Sequence, residues 1–295
     1  MCSPWADTRV CPYEVLSTAY CLPPAAYRVL PSACLPFRGV MLDYIYRGRL
    51  LNVGHRGART AAPENTLAAF RTAVDMGADG VELDVMLSKD GILVVHHDYK
   101  LGRTENGSGP LRKYTVAQLK RLDAGGWKDQ RFAGQRIPTL AEVFQALDRQ
   151  VIVNVELKTA ATFSDGLEQA VVAEIKRSHM VDMVVISSFN PFALMRVRDL
   201  APLLPLGLLY APDQPPHLSR AWLRPFVQPQ ALHPRHDMVT SRFMTWARKK
   251  GYRVNTWTVN EPEEMRRLAL LGVDAIITDT PDVLKEVLAE MGKRR

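Results

Sequence analysis

Residues 80–98 read Gly-Val-Glu-Leu-Asp-Val-Met-Leu-Ser-Lys-Asp-Gly-Ile-Leu-Val-Val-His-His-Asp. Two apolar, β-prone runs flank Asp90-Gly91, a strong short-range hairpin signal, because a type I′ turn needs positive φ at both central residues. Side chains alternate between the two faces of a strand, so Glu82 and Asp84 share one face. Folding about Asp90-Gly91 sets His97 opposite Asp84, and moving the loop to Lys89-Asp90 sets it opposite Glu82. Either register predicts one imidazole beside two carboxylates, with His96 facing away. Directly opposed Cβ atoms lie about 4.5–5.5 Å apart.

Outward from this hairpin the chain alternates strand and helix. Strands are expected at 51–55, 80–85, 151–157, 183–187, 205–210, 229–232, 253–257 and 275–278. Helices are expected at 64–76, 140–147, 165–178, 191–200, 218–223, 240–250, 261–271 and 281–290, on apolar stripes such as Leu67, Phe70 and Val74. Asn190 before Pro191 and Thr280 before Pro281 supply helix starts. Eight strands and eight helices predict an α/β fold, a closed (β/α)₈ barrel with functional residues at the carboxyl ends of its strands. The count requires 92–96 to be the return arm of the hairpin and not a barrel strand. Residues 99–138 are then an insertion after the second strand, loop-rich from its glycines, with one short helix near 116–122. Such insertions in compact domains commonly form lids or binding loops.

The 295 residues suit one large barrel or two ordinary domains, and 47% hydrophobic with 23% charged content is that of a water-soluble globular protein. A net charge of +7 suits an anionic substrate as well as a membrane surface or nucleic acid, and decides little. No run of about 18 apolar residues occurs, so no transmembrane helix is expected. The four cysteines, Cys2, Cys11, Cys21 and Cys34, are widely spaced within the first 34 residues. That spacing lacks the short pairs of a zinc site, and the cysteine-free remainder fits a reducing cytoplasm. Residues 1–40 carry scattered prolines and no lasting periodicity; they read as a disordered extension or as sequence upstream of a start at Met41. Asp7, Arg9 and Glu14 interrupt any signal-peptide core. The barrel is expected over 41–295.

The expected strand ends gather chemistry. Strand one ends in His55-Arg56-Gly57, strand two presents Glu82 and Asp84, the hairpin returns His97, and strand three ends in Glu156-Leu157-Lys158. Three converging carboxylates make a hard, oxygen-rich site suited to Mg²⁺ or Ca²⁺ and not to zinc, and without a cation they would repel strongly. Arg56 and Lys158 add fixed positive charge fit to stabilise a phosphoryl group. His55 and His97 can act as base and acid near neutral pH. Taken singly, His55 fits a buried, hydrogen-bonded histidine, and Glu156-Leu157-Lys158 fits a surface ion pair. Their joint placement at one barrel rim points to phosphodiester cleavage. His96, His179, His217, His233 and His236 read as structural or solvent-facing. Trp257 fits a pocket wall or plain core packing.

These residues resemble the glycerophosphodiester phosphodiesterase family. Gly54-His55-Arg56-Gly57 with Pro63-Glu64-Asn65-Thr66 is similar to the family's first motif. Glu82-Leu83-Asp84-Val85 and Val94-Val95-His96-His97-Asp98 are similar to its second and third. Glu156-Leu157-Lys158, Ser188-Phe189-Asn190, Trp257-Thr258-Val259-Asn260 and the run from Gly272 to Asp279 resemble the remaining blocks. The resemblance implies a TIM barrel of the phospholipase-C-like phosphodiesterase type that hydrolyses glycerophosphodiesters to an alcohol and sn-glycerol 3-phosphate. It implies His55 and His97 as the catalytic pair and Glu82, Asp84 and Glu156 as ligands of a divalent metal, Mg²⁺ or Ca²⁺. Arg56 and Lys158 match phosphate-contacting residues; Glu64 and Asn65 belong to the first motif and read as positioning residues at the first loop. An aromatic often precedes the histidine of the third motif, where this chain has His96; the hairpin and Asp98 favour His97. The partner so implied is a small-molecule glycerophosphodiester, with no nucleic acid and no stable membrane insertion; the oligomeric state stays open. Three other readings compete: a barrel that binds phosphodiesters without turnover, a lipid-cleaving phospholipase of the same superfamily, and a sugar-phosphate isomerase. No expected site residue is missing, only Trp127 and Phe132 offer the insertion an apolar rim, and no glycine-rich phosphate loop follows the late strands.

A chain starting at Met41 should fold and keep full activity. Loss of its cooperative thermal melt would show that the first 40 residues belong to the core.

Overall fold

The computed structural model describes residues 44–46 and 48–293, so the extension expected over 1–40 lies outside the described residues. Strand β1 (Leu51–His55) leads to the helix Leu67–Asp75, and β2 (Gly80–Leu87) to the hairpin arm β3 (Leu93–Val95). A two-stranded ribbon of β4 (Lys100–Leu101) and β5 (Gly109–Pro110) opens the insertion, which ends at the helix Leu140–Leu147. Six further strands follow: β6 (Ile152–Leu157), β7 (Val184–Ser188), β8 (Leu206–Tyr210), β9 (Ala231–Pro234), β10 (Arg253–Thr256) and β11 (Ala275–Thr278). Helices Leu167–Arg177, Pro191–Leu200, Ser241–Lys249, Pro262–Leu271 and Pro281–Lys293 are interleaved with them. Parallel pairing runs from β1 through β2 and β6 to β11, and β11 pairs back onto β1. Among the described residues this is a closed ring of eight parallel strands, the expected TIM barrel.

Local chemistry sets the element ends. Thr66 caps the first helix by accepting the Ala69 N–H, Thr139 and Glu142 form a capping box on the next, and Asn190 caps the helix begun by Pro191. Each residue of β2 is buried: Val81, Leu83 and Val85 join the apolar core, while Glu82 and Asp84 face the barrel interior. The strand register then does the placing. His55 pairs beside Glu82, and Asp84 beside Glu156. At the opposite mouth the Tyr46 ring plugs the barrel, its hydroxyl accepting from Asn255 Nδ2 at 2.7 Å. The insertion carries a small core of its own, with Leu101, Leu111, Leu119 and Ile137 packed against Met86 and Val94 of the hairpin.

Several expectations are corrected. The hairpin has neither of the two expected registers. Val85 pairs with Val95 and Leu87 with Leu93, which leaves a three-residue loop, Lys89-Asp90-Gly91. Only Gly91 has positive φ, +77°. Asp90 stays in the ordinary region because its carboxylate takes the Ser88 hydroxyl at 2.6 Å and the Val116 N–H at 2.9 Å. The backbone opposite Asp84 is therefore that of His96, whose N–H donates to the Asp84 carbonyl at 2.9 Å. Strand pairing stops at Val95 and the chain bends at His97, so the alternation that was to orient the two histidines no longer applies. The helix expected at 64–76 begins at Leu67, since Asn65 has φ +55° and Thr66 is the cap; Glu64 and Asn65 stay in the loop. The helix expected at 218–223 is two single turns, Pro216–Ser219 and Arg224–Val227, because Ala221 takes φ +50° and Pro225 cannot continue a helix. The sixth barrel strand lies two residues later than expected, which carries His233 into the barrel interior, fully buried.

His233 needs the space that Gly207 leaves on the neighbouring strand: a Cβ there would lie 2.2 Å from His233 Nε2. Gly207→Ala should cost about 1–3 kcal/mol, read as a lower urea midpoint at unchanged m. An unchanged midpoint would show that the His233 ring can move aside.

Candidate active site

The turn after β1 aims the first residues. Arg56 adopts φ +53° and its N–H donates to Glu82 Oε2 at 3.1 Å. Its guanidinium reaches Glu64 Oε1 at 2.8 Å and Asp84 Oδ2 at 3.3 Å. Behind it, Asn65 Nδ2 donates to Asp84 Oδ2 at 2.9 Å. Lys158, just past β6, sits 3.0 Å from Glu156 and 3.7 Å from Asp84. Asp84 thus has two cations and an amide, and Glu156 has one cation. Among the described residues Glu82 has only a backbone N–H and the His55 ring at 3.9 Å.

The charge states follow from that inequality. Burial, and then the charges of Asp84 and Glu156, push Glu82 well above the usual carboxylate range. Burial also opposes the Asp84 charge, but Arg56, Lys158 and His97 hold it below its ordinary value. Burial raises Glu156 despite Lys158. Burial pulls His97 below the ordinary imidazole value, with Arg56 and Lys158 adding to it and Asp84 and Asp98 opposing. Oxygens of Glu82, Asp84 and Glu156 all lie within 4.8 Å of one another. Three hard oxygen donors, one of them short of positive charge, fit a divalent cation of the Mg²⁺ or Ca²⁺ kind.

Both histidines back onto carboxylates. His55 Nδ1 lies 2.7 Å from Asp279 Oδ1, and His97 Nδ1 lies 2.5 Å from Asp98 Oδ1. An ionised carboxylate only accepts, so each Nδ1 donates and each Nε2 is left for the cavity. Asn260 Nδ2 donates to Asp279 at 2.9 Å and its Oδ1 accepts the Asp279 N–H at 2.9 Å. His96 turns away from the site: its side chain is buried against Glu105, with Nε2 at 2.9 Å from Oε2.

A cavity of about 230 Å³ opens at the carboxyl ends of the strands. Of the expected residues, His55, Arg56, Glu82, His97, Glu156 and Lys158 line its polar side, and Trp257 its apolar side. Trp257 meets Phe189 edge to face at 5.4 Å, and its Nε1–H donates to the His233 carbonyl at 2.8 Å. Asp84 lies beneath, and Glu64 and Asn65 stand behind Arg56 and Asp84 without lining the cavity. Asp279, Arg59, Arg103 and Phe189 escaped the sequence reading as site residues. Asp279 directly follows β11, so the rule that places function at strand ends could have found it. Arg103 lies in the insertion, where no local signal ties it to the site.

Residues 55–283 match the Glycerophosphoryl diester phosphodiesterase family. A glycerophosphodiester phosphodiesterase of Caldanaerobacter subterraneus subsp. tengcongensis is 40% identical over 247 residues, covering 83% of this chain and all of that protein. A phosphodiesterase of Oleispira antarctica, solved in complex with the product sn-glycerol-3-phosphate, superposes with a TM-score of 0.73 at 33% identity, covering 80% of this chain and 96% of that one. The glycerophosphodiester phosphodiesterase of Agrobacterium tumefaciens superposes with a TM-score of 0.68 at 31% identity, over 79% of this chain and 97% of that one. The chain belongs to the glycerophosphoryl diester phosphodiesterase family, and is an enzyme that hydrolyses glycerophosphodiesters on a TIM barrel.

Proposed function

We propose that the cavity cleaves a glycerophosphodiester into an alcohol and sn-glycerol 3-phosphate, with His55 and His97 as the acid–base pair and Glu82, Asp84 and Glu156 as the metal ligands. The observation that carries this reading is two imidazoles, each backed at Nδ1 by a carboxylate, lining one cavity next to a cluster of three carboxylates. When bound, a divalent cation there supplies positive charge to the phosphate oxygens. Arg56 and Lys158 line the same wall and hold the phosphate's negative charge. One imidazole Nε2 takes the proton of the water that attacks phosphorus, and the other gives a proton to the departing alcohol oxygen. Trp257 and Phe189 offer the substrate's carbon skeleton an apolar face. A relative that holds sn-glycerol-3-phosphate supports the choice of product. No helix among the described residues is long and apolar enough to cross a membrane. The lack of cysteines after Cys34 supports a cytoplasmic setting.

Chelation by EDTA should abolish release of sn-glycerol 3-phosphate, and added Mg²⁺ or Ca²⁺ should restore it. Full activity of metal-stripped protein would remove Glu82, Asp84 and Glu156 from their role.

The adjacent histidines separate catalysis from folding. His97→Ala should lose on the order of 10²–10⁴-fold in kcat with its melting temperature retained. His96→Ala removes a buried partner of Glu105 and should act chiefly on melting temperature. If His96→Ala is the inactive variant, His97 leaves the site.

A further inference from the structure

Three arginines from separate points of the chain meet on one buried carboxylate. The Glu64 side chain is 2% exposed. Its Oε1 accepts from Arg56 Nη1 at 2.8 Å and from Arg103 Nη2 at 2.6 Å, and its Oε2 faces Arg59 Nε at 2.9 Å. Two of these arginines lead onward to the histidines. Arg59 Nη1 lies 3.5 Å from Asp279 Oδ2, and Asp279 Oδ1 accepts from His55. Arg103 Nε donates to Asp98 Oδ2 at 2.5 Å, and Asp98 Oδ1 accepts from His97. Each imidazole is therefore connected to Glu64 through a carboxylate and an arginine, by hydrogen bonds on the His97 arm and by ion pairs of Arg59 on the His55 arm.

Glu64, Asp98 and Asp279 face Arg56, Arg59 and Arg103, with Arg56 shared between Glu64 and Asp84. The arginines of the two arms are not held by burial: the Arg59 side chain is 38% exposed and that of Arg103 is 43% exposed. A long, half-exposed side chain keeps one rotamer only where a fixed partner holds it. Glu64, buried and drawn well below the carboxylate range by the arginines despite its burial, is that partner for both.

On the reading of His55 and His97 as the acid–base pair, we propose that Glu64 is a positioning residue for both at once. It acts through Arg59–Asp279 on His55 and through Arg103–Asp98 on His97, and it fixes the ring orientation and the Nδ1–H tautomer of each. Arg103 comes from the insertion, so the insertion serves as the outer half of this brace. Glu64 also touches Arg56, and an effect exerted through Arg56 alone would fall on phosphate binding.

The test uses the full chain with saturating divalent metal, with glycerophosphodiester turnover, melting temperature and ¹⁵N-histidine spectra as readouts. Glu64→Gln keeps size and removes the charge. It should lower kcat about 10- to 100-fold with KM little changed, and the His55 and His97 signals should shift from the single Nδ1–H tautomer to a mixture. Arg103→Met, at a half-exposed position, should lower kcat and disturb the His97 signal alone, and Arg103→Lys should recover part of the loss. The double variant Glu64→Gln/Arg103→Met should be little worse than Glu64→Gln. A rise in KM at unchanged kcat would overturn the proposal in favour of action through Arg56, and unchanged tautomers in Glu64→Gln would overturn it outright. Should Glu64→Gln fail to fold, Arg103→Met decides: retained kcat with an unchanged His97 signal overturns the proposal. His97→Ala measured alongside separates the two levels. If it is inactive while Glu64→Gln and Arg103→Met keep their kcat, only the brace fails; if it is active, the acid–base assignment fails first.

Discussion

Like-charge repulsion in one buried corner is the constraint around which this molecule is arranged. At an effective dielectric of about 20, two unit charges 4.8 Å apart repel by roughly 3.5 kcal/mol. Three such pairs, among Glu82, Asp84 and Glu156, approach the entire stability of a folded domain, about 5–15 kcal/mol. The corner is tolerable only where cations or protons answer it. Arg56 and Lys158 answer Asp84 and Glu156, and Glu82 is left with a backbone N–H and a neighbouring imidazole. That leftover need suits a divalent cation, and it is created by the register that sets His55 level with Glu82 and, two residues further along β2, Asp84 level with Glu156.

The loop from Arg56 to Asn65 carries three positive φ values, at Arg56, Gly57 and Asn65, and returns Glu64 and Asn65 beneath the strand ends. The insertion leans on this loop through Arg103, through Lys128 donating to the Arg59 carbonyl at 3.0 Å, and through Arg131. A segment that the sequence suggests as a lid or binding loop is in the structure packed by its own small core against the hairpin. Through Arg103 it reaches Asp98 and Glu64.

Sequence alone determined the barrel, because period-2 and period-3.6 patterns are local and each strand or helix announces itself within its own few residues. The helices Leu140–Leu147 and Pro191–Leu200 and the strands Leu51–His55 and Ala275–Thr278 fall at their expected bounds. The gathering of His55, Arg56, Glu82, Asp84, His97, Glu156 and Lys158 at one mouth was legible for the same reason, since strand ends of a parallel barrel must share a rim. The prolines that crowd 215–234 blurred the local signal, and there the expected helix and strand were displaced.

What only the tertiary structure decided is the hairpin register and the identity of each side chain's partner. The loop at Lys89-Asp90-Gly91 has three residues because Val116, far along the chain, donates to Asp90. His97 faces the cavity because the chain bends after Val95, not because of strand alternation. Asp279 reaches His55 from 224 residues along the chain, and Arg103 reaches Asp98, the partner of His97, from inside the insertion. Such contacts depend on where distant segments come to rest, and a pattern read along a few residues of one chain carries no information about that distance.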